Sequence, residues 1–421
     1  MSFQQGVSGL SVAGKNLEVI GHNVANASTV GAKASRAEFA DIYARVEGRG
    51  GVNIGLGVQL ASVSQAFSQG NLSSSNNPLD VAINGAGFFQ MEDAGGSLLY
   101  SRNGQFRVDR EGYVSNAQGQ RLIGIPATYA EGQIPGKASA LQLATRGVDP
   151  KVTSKISMEI NLDSRSTITG IEGTVPMVDL ADARTYNNST SINVYDVKGQ
   201  SVTLTYFFQK TAPDSWNVYV AANGEALNTD DAGFPQPITQ AIFSPDGKSP
   251  TSPSGPFTID VPRTAAGQYN STEPIEGVKV DWSSLSQYGT PFGPTALSQD
   301  GFAPGRLTAI SVETDGNIMA TYSNGQSASL ARVELANFRN PQGLRTMGGN
   351  TWSATYDSGD AVIGKPGGGN LGLLQSRALE DSNIDLTTEL VNMMVAQRIY
   401  QANAQTIKTT DQVLQTLVNL R

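Results

Sequence analysis

Hydrophobic positions near the C-terminus repeat with the period of a long helix. From Leu386 onward, the seam positions recur at spacings that alternate between four and three, and residues 383–420 contain neither Pro nor Gly. About five such heptads exceed the three or four that indicate a coiled coil. The pattern therefore predicts a C-terminal coiled-coil helix with Ser382 as N-cap and Asp385 completing a short capping box. Its candidate contact positions are Leu386, Leu390, Met393, Gln397, Tyr400, Ala404, Ile407, Leu414 and Leu417.

A shorter seam of the same kind lies at the N-terminus. The seam includes Gly14 and Gly21, and Gly6 and Gly9 lie beside it; each of these four glycines costs about 1 kcal/mol relative to Ala inside a helix. An isolated helix of this composition is unstable, so we expect it to fold when a partner covers it. An ordinary core helix is the alternative, but a second seam at the other end of the chain favours pairing of the two termini. The apolar contact positions are Val7, Leu10, Leu17 and Val24.

Between these ends, short alternating runs are separated by turn residues. Pairs such as Asn223-Gly224 and Asp315-Gly316 separate runs of alternating polarity, which is the signature of antiparallel hairpins. Pro and Gly cluster around 125–150, 245–262 and 289–305, and we interpret these clusters as junctions that enclose an inserted domain. The sequence thus predicts an α+β fold, mainly β, in which paired terminal helices bracket nested antiparallel β-domains.

Composition excludes several classes of function. The chain has no Cys and a single His, which rules out disulfides, a Cys zinc site and any multi-His metal site. A net charge of −8 argues against the basic surface that duplex nucleic acid requires. No apolar run approaches the roughly 18 residues of a membrane span, and the N-terminus lacks the features of a secretory signal.

Motif searches give no catalytic or cofactor site. The segment 367–372 matches G-x-G-x-x-G, but the βαβ unit that dinucleotide binding requires does not follow it. His22 has no Gly-x-Ser-x-Gly elbow to serve. We therefore expect no enzyme activity, no cofactor, no metal and no small-molecule substrate.

Both ends of the chain resemble one family. The runs Ser8-Gly9-Leu10 and 20–33 (IGHNVANASTVGAK) are similar to the N-terminal signature of bacterial flagellar rod, hook and junction proteins. At the other end, 382–391 and 396–404 (AQRIYQANA) resemble their C-terminal signature. Asn23 and Asn26 of the first signature therefore join the candidate assembly positions.

Within this family, the length and the inner segments favour the hook subunit. Residues 286–289 (SQYG), 299–301 (QDG), 322–326 (YSNGQ) and 340–344 (NPQGL) resemble hook proteins. The resemblance implies a subunit that is exported by the flagellar type III apparatus and polymerises into the hook, a curved tube outside the cell that acts as a universal joint between motor and filament. It implies as partners other copies of the chain, the rod and hook–filament junction proteins, and the hook cap.

The resemblance also implies a domain organisation. It consists of a terminal helical domain (1–31 and 376–421), a connecting segment (32–71), an inner β-domain (72–148 and 286–375) and an outer β-domain inserted in it (149–285). A rod or junction protein would share the ends but differ in the middle. A secreted β-rich adhesin or enzyme is the alternative from a different class, and a pocket with convergent carboxylates in 150–290 would favour it.

Overall fold

The computed structural model describes residues 2–42, 55–126, 138–143, 146–169, 178–263, 265–266 and 270–419, without the side chains of 2–3, 265–266, 270–271 and 417–419. The predicted α+β class is confirmed, with one helix at each end of a chain of short strands. Helix α1 spans Ser2–Asn26, helix α2 spans Leu386–Asn419, and a 3-10 turn lies at Pro341–Gly343. The first ten strands are β1 (Ser35–Ile42), β2 (Gly57–Gln65), β3 (Leu72–Ser74), β4 (Val81–Asn84), β5 (Phe88–Glu92), β6 (Leu98–Ser101), β7 (Arg107–Val108), β8 (Val114–Ser115), β9 (Arg121–Pro126) and β10 (Ser139–Ala140).

The remaining strands complete the inserted segment and the return of the chain. The inserted segment contains β11 (Lys155–Asp163), β12 (Asn188–Tyr195), β13 (Ser201–Ala212), β14 (Ser215–Ala222), β15 (Glu225–Ala226), β16 (Thr239–Phe243), β17 (Pro250–Ser252), β18 (Phe257–Val261), β19 (Ala265–Ala266), β20 (Asn270–Ser271), β21 (Ile275–Asp281), β22 (Ser286–Tyr288) and β23 (Gly293–Gln299). The return contains β24 (Leu307–Val312), β25 (Asn317–Tyr322), β26 (Ser327–Val333), β27 (Leu335–Asn337), β28 (Arg345–Gly348), β29 (Thr351–Ser353), β30 (Val362–Gly364), β31 (Leu373–Ser376) and β32 (Ala378–Glu380).

The start of α2 differs from the sequence prediction. The helix begins at Leu386, and the Asp385 carboxylate accepts hydrogen bonds from the Thr387 backbone N–H (2.9 Å) and the Thr388 hydroxyl (2.6 Å). Asp385 is therefore the N-cap, and these bonds hold its pKa below the usual range. Ser382, predicted as the N-cap, lies three residues too early, and its hydroxyl accepts a bond from Ile384 N–H instead (3.2 Å).

The chain folds into two compact units, and the terminal helices belong to the first. This unit contains 1–145, 309–321 and 327–421. Strands β1 and β2 form an antiparallel hairpin along α1, where the Gln5 amide donates to the carbonyl of Gly55 (2.7 Å). Strands β3 and β4 pair with the returning β32 and β31, so the outgoing and incoming chain run side by side.

The first unit has its own hydrophobic core. A mixed-order sheet with the central path β24-β25-β26-β9-β5-β6-β29-β28 provides most of it. Phe89, Met91 and Leu335 are fully buried in one cluster, and Phe88 and Trp352 pack edge-to-face in a second. Every buried member of both clusters comes from the first unit, so its core does not depend on the inserted segment.

The second unit, 146–308 with 322–326, contains two larger sheets and the small β19–β20 pair. One sheet contains β18, β21, β11, β22 and β23, and the other contains β12 to β17. Alternate residues of β11, such as Ile156 and Ile160, are buried in one cluster with Leu204 and Phe208 of β13 and Trp216 of β14. The period-two pattern of these strands thus places one face of each sheet in a shared core.

The inserted unit ends later than the sequence analysis assigned. The resemblance predicts 286–308 as part of the inner β-domain, but β22 and β23 both pair with β11, so they complete the sheet of the second unit. Of the predicted connecting segment, 43–54 lie outside the described residues. The four-part division of the chain stays a prediction.

Candidate assembly surface

The two terminal helices contact each other where α1 carries glycine. A Cβ atom added to Gly6 would lie 3.0 Å from Cγ1 of Ile407, and one added to Gly9 would lie 2.8 Å from Oδ1 of Asn403. A later residue of α1 therefore contacts an earlier residue of α2, so the two helices are antiparallel. The predicted pairing of the termini is confirmed, and glycine provides the close approach between the helices. Gly21 differs, because among the described residues no atom beyond its own stretch of helix lies within 4 Å of its hypothetical Cβ.

The buried stripe of α1 is displaced from the predicted seam. Gly6, Ala13 and Ile20 are buried, whereas the seam residue Val7 is 45% exposed. Leu10, Leu17 and Val24 are half-buried. Gly6, Ala13 and Ile20 recur at a spacing of seven, so this stripe, and not the predicted seam, is the buried face of α1.

Helix α2 carries an apolar surface that α1 leaves exposed. Of the predicted contact positions, Leu386, Leu390, Tyr400 and Leu414 are between 40% and 51% exposed. Met393, Ala404 and Ile407 are half-buried, Gln397 is exposed, and the side chain of Leu417 lies outside the described set. We define the α2 apolar surface as the exposed side chains Leu386, Leu390, Val391, Met394, Val395, Ile399, Tyr400, Val413 and Leu414.

Asn23 and Asn26 make their bonds within the chain. The buried Asn23 amide donates to the Ser35 carbonyl (2.8 Å) and accepts from the Ser35 N–H (2.9 Å), which fixes the end of α1 to the start of β1. The Asn26 amide donates to the carbonyl of His22 (2.9 Å), and its oxygen accepts from the Thr29 hydroxyl (3.3 Å). Both residues thus determine how the chain leaves α1.

A buried ionic cluster lies where the two ends of the chain enter the first β-rich unit. The Glu380 carboxylate binds the Lys33 ammonium at 2.6 Å and the Arg102 guanidinium at 3.1 Å, and it accepts the Gly70 N–H at 2.9 Å. The side chains of Lys33 and Glu380 are fully buried, and that of Arg102 is 4% exposed. Burial lowers the pKa of the Lys33 ammonium, although the bond to Glu380 opposes this shift.

Asn383, three residues after Glu380, hydrogen-bonds two separate segments of the chain. Its oxygen accepts the Ala34 N–H (2.8 Å), and its amide donates to the Ala66 carbonyl (2.8 Å) and the Ser68 hydroxyl (2.8 Å). The residues just before α2 are therefore hydrogen-bonded to the segments that precede β1 and follow β2.

Local sequence pattern does not predict this cluster. Lys33 occurs only as the last residue of the N-terminal signature, and Glu380 and Arg102 belong to none of the motifs described above. The three residues share no period and are separated by up to 347 positions. The sequence offers one indirect signal of such a cluster: charged residues are scarce and make up only 16% of the chain.

Within the described residues, we find neither a cluster of three or more acidic or His side chains placed to bind a metal nor a helix long and apolar enough to span a membrane.

Comparison with known proteins resolves the alternatives left by the sequence. Four family models match in order: Flagella basal body rod protein (3–33), Flagellar hook protein FlgE/F/G D1 domain (82–149), Flagellar basal body protein FlaE D2 domain (161–302) and Flagellar basal body rod FlgEFG protein C-terminal (375–420). The flagellar hook protein FlgE of Escherichia coli (strain K12) is 40% identical over 427 residues, with all of both chains covered. The chain belongs to the flagellar hook protein family.

Other hook proteins agree along their whole length. The flagellar hook protein FlgE of Salmonella typhimurium is 39% identical over all of both chains, and that of Borreliella burgdorferi is 31% identical over all of this chain and 99% of its own. The crystal structure of the Helicobacter pylori flagellar hook protein FlgE2 covers 73% of this chain and all of its own with a TM-score of 0.53. Its 15% identity makes this a likeness of fold alone.

Membership in the hook family establishes a structural role. The chain is a subunit of the bacterial flagellar hook, which lies outside the cell on the basal body and serves motility, and it assembles with further copies of itself. The family is a structural one, and the absence of catalysis stays a prediction.

Proposed function

We propose that the paired terminal helices form the rigid layer of the hook tube and that the α2 apolar surface is where neighbouring copies pack. The candidate positions of α1 and α2 named above belong to this layer. The assembled tube transmits motor torque to the filament as a flexible joint.

The exposure of the α2 apolar surface carries this proposal. Helix α2 has 34 residues against 25 for α1, so it is about 13 Å longer at 1.5 Å per residue. Among its described side chains, nine large apolar ones stay exposed, which is unusual for a surface that faces only water. Covering them would contribute on the order of 10 kcal/mol per subunit before the entropy of association is subtracted.

The same proposal includes the remaining partners. The N-terminal helix matches the model of basal-body rod proteins and α2 matches the C-terminal model shared by rod and hook proteins. Helices of one type at both sides of a junction would let the hook continue the packing of the rod. We therefore propose rod proteins, the hook–filament junction proteins, the hook cap and the flagellar type III export apparatus as partners.

Leu390→Asp and Leu414→Asp test the surface. An unpaired carboxylate in a packed layer costs several kcal/mol, and the cost repeats at every subunit of the polymer. We expect both variants to fail to form tubes in electron micrographs while circular dichroism shows the β-rich units folded.

Gln412→Asp is the matched control, because Gln412 is an exposed polar residue of the same helix. It should assemble. Normal tubes from both Leu variants would contradict the proposal.

A further inference from the structure

A groove on the first unit is open to a partner. It has a volume of about 640 Å³ and lies beside the edge strand β30, which pairs with β27 alone among the described strands. Phe338, Val362, Ile363 and Leu371 line it, and Val362 and Ile363 are 66% and 49% exposed. The groove is therefore apolar and accessible.

The same unit carries a projecting aromatic side chain. Tyr356, in the turn between β29 and β30, is 100% exposed. The turn beneath it is fixed, because the Thr355 hydroxyl donates to the Gly343 carbonyl (2.5 Å) and the buried Ser358 hydroxyl donates to the Thr355 carbonyl (2.8 Å). Because the backbone of the turn is already fixed, little backbone entropy is lost when Tyr356 binds, and tyrosine is among the residues that dominate interface energies.

The charges around these two features are complementary. Asp357 and Asp360 follow Tyr356 in the chain, whereas Arg339 and Lys365 line the groove. All four side chains are exposed, and none forms a salt bridge within the described part of the chain. Opposite charges on two facing surfaces steer association and fix its register.

We propose that the Tyr356 turn of one subunit inserts into the groove of a neighbouring copy of the same chain, with Asp357 and Asp360 facing Arg339 and Lys365. The occupant is a second copy because each copy presents both complementary surfaces. A contact between two different surfaces of identical subunits propagates along a filament instead of closing into a dimer. The inference rests on polymerisation of the chain, but it places a contact outside the terminal helices.

Cysteine cross-linking tests the proximity directly, since the natural chain has no Cys. Tyr356→Cys subunits are assembled in equal amounts with Ile363→Cys subunits and oxidised with copper phenanthroline. We expect a disulfide-linked dimer in the mixture, and a ladder of covalent oligomers when both substitutions lie in one chain. Val197→Cys, at a 62% exposed position of the second unit, replaces Ile363→Cys in the matched control and should give no dimer with Tyr356→Cys.

Charge reversal supplies a second, independent measurement. Arg339→Glu with Lys365→Glu, or Asp357→Lys with Asp360→Lys, should lower the temperature at which tubes depolymerise, by several degrees in each case. All four substitutions together should restore it. If the depolymerisation temperature of the quadruple variant fell by the sum of the two separate decreases, the proposed contact would be wrong. Absence of the mixed dimer in intact tubes would overturn it as well. Failure of the unsubstituted chain to form tubes would instead count against the proposed function.

Discussion

At the scale of single residues, Glu380 connects three separate parts of the first unit. Its carboxylate accepts hydrogen bonds from the Lys33 ammonium, the Arg102 guanidinium and the Gly70 N–H, so both of its oxygen atoms are hydrogen-bonded. Two buried cations share this one anion. Removing a single partner from such a group leaves an uncompensated charge away from water.

Glu380→Gln should therefore destabilise the first unit by about 3–5 kcal/mol, because Lys33 and Arg102 would remain buried without an anion. Hydrogen exchange of the paired strands β3 and β32 in increasing urea measures this loss. Glu18→Gln, which breaks the exposed Lys15–Glu18 pair at 2.8 Å, is the control and should change little. Equal behaviour of the two variants would show that the buried cluster contributes no more than a surface pair.

At the scale of elements, the helices show what local pattern can and cannot predict. Their existence and their glycine-mediated pairing followed from period and propensity, because both are properties of neighbouring positions. The face that α1 presents did not follow, since Gly9 meets Asn403 only after a chain reversal of almost 400 residues. The start of α2 did not follow either, since Asn383 bonds Ala34, Ala66 and Ser68, far away in the chain, and Asp385 beyond it provides the cap instead of Ser382.

Replacing two glycines of α1 by the same residue separates packing from propensity. Gly9→Leu would place a side chain against Asn403, whereas Gly21→Leu has open space. We expect Gly21→Leu to stabilise the helix by about 0.8 kcal/mol, and Gly9→Leu to displace the Asn403 side chain and loosen the contact of α1 with α2. Limited proteolysis of assembled tubes, which cleaves α1 where it detaches, measures the difference. If both variants were equally resistant, glycine would not be needed at the contact.

At the scale of the whole molecule, the inserted unit was predictable but its end was not. Turn residues and alternating runs indicated a β-rich insertion, and the resemblance to hook proteins placed its end at residue 285. Strands β22 and β23 instead hydrogen-bond with β11, more than 120 positions earlier. Pairing at that distance leaves no trace in local alternation, so only the structure could place the boundary near 308.

Two deletions test this boundary. Replacing 146–308 by a short Gly-Ser linker should leave a folded first unit that still forms tubes, because its core clusters contain no residue of the insertion. We expect these tubes to be straighter or stiffer in electron micrographs. Deleting 149–285 instead removes β11 and leaves β22 and β23 without partners, which should cause aggregation. Wild-type curvature in the first variant would show that the insertion does not govern bending.

The separation of Lys33 from Glu380 has a consequence for the order of folding. Closing a loop of 347 residues costs about 3 kcal/mol more conformational entropy than closing the 12 residues between Asn23 and Ser35. That cost falls once β4 has paired with β31, since the intervening chain is then already compact. The ionic cluster should accordingly be among the last contacts to form, with the strands closing before the ends do. A newly made chain would keep its first thirty residues uncommitted until its last fifty are in place, and refolding kinetics should show the helices ordering in the slowest phase.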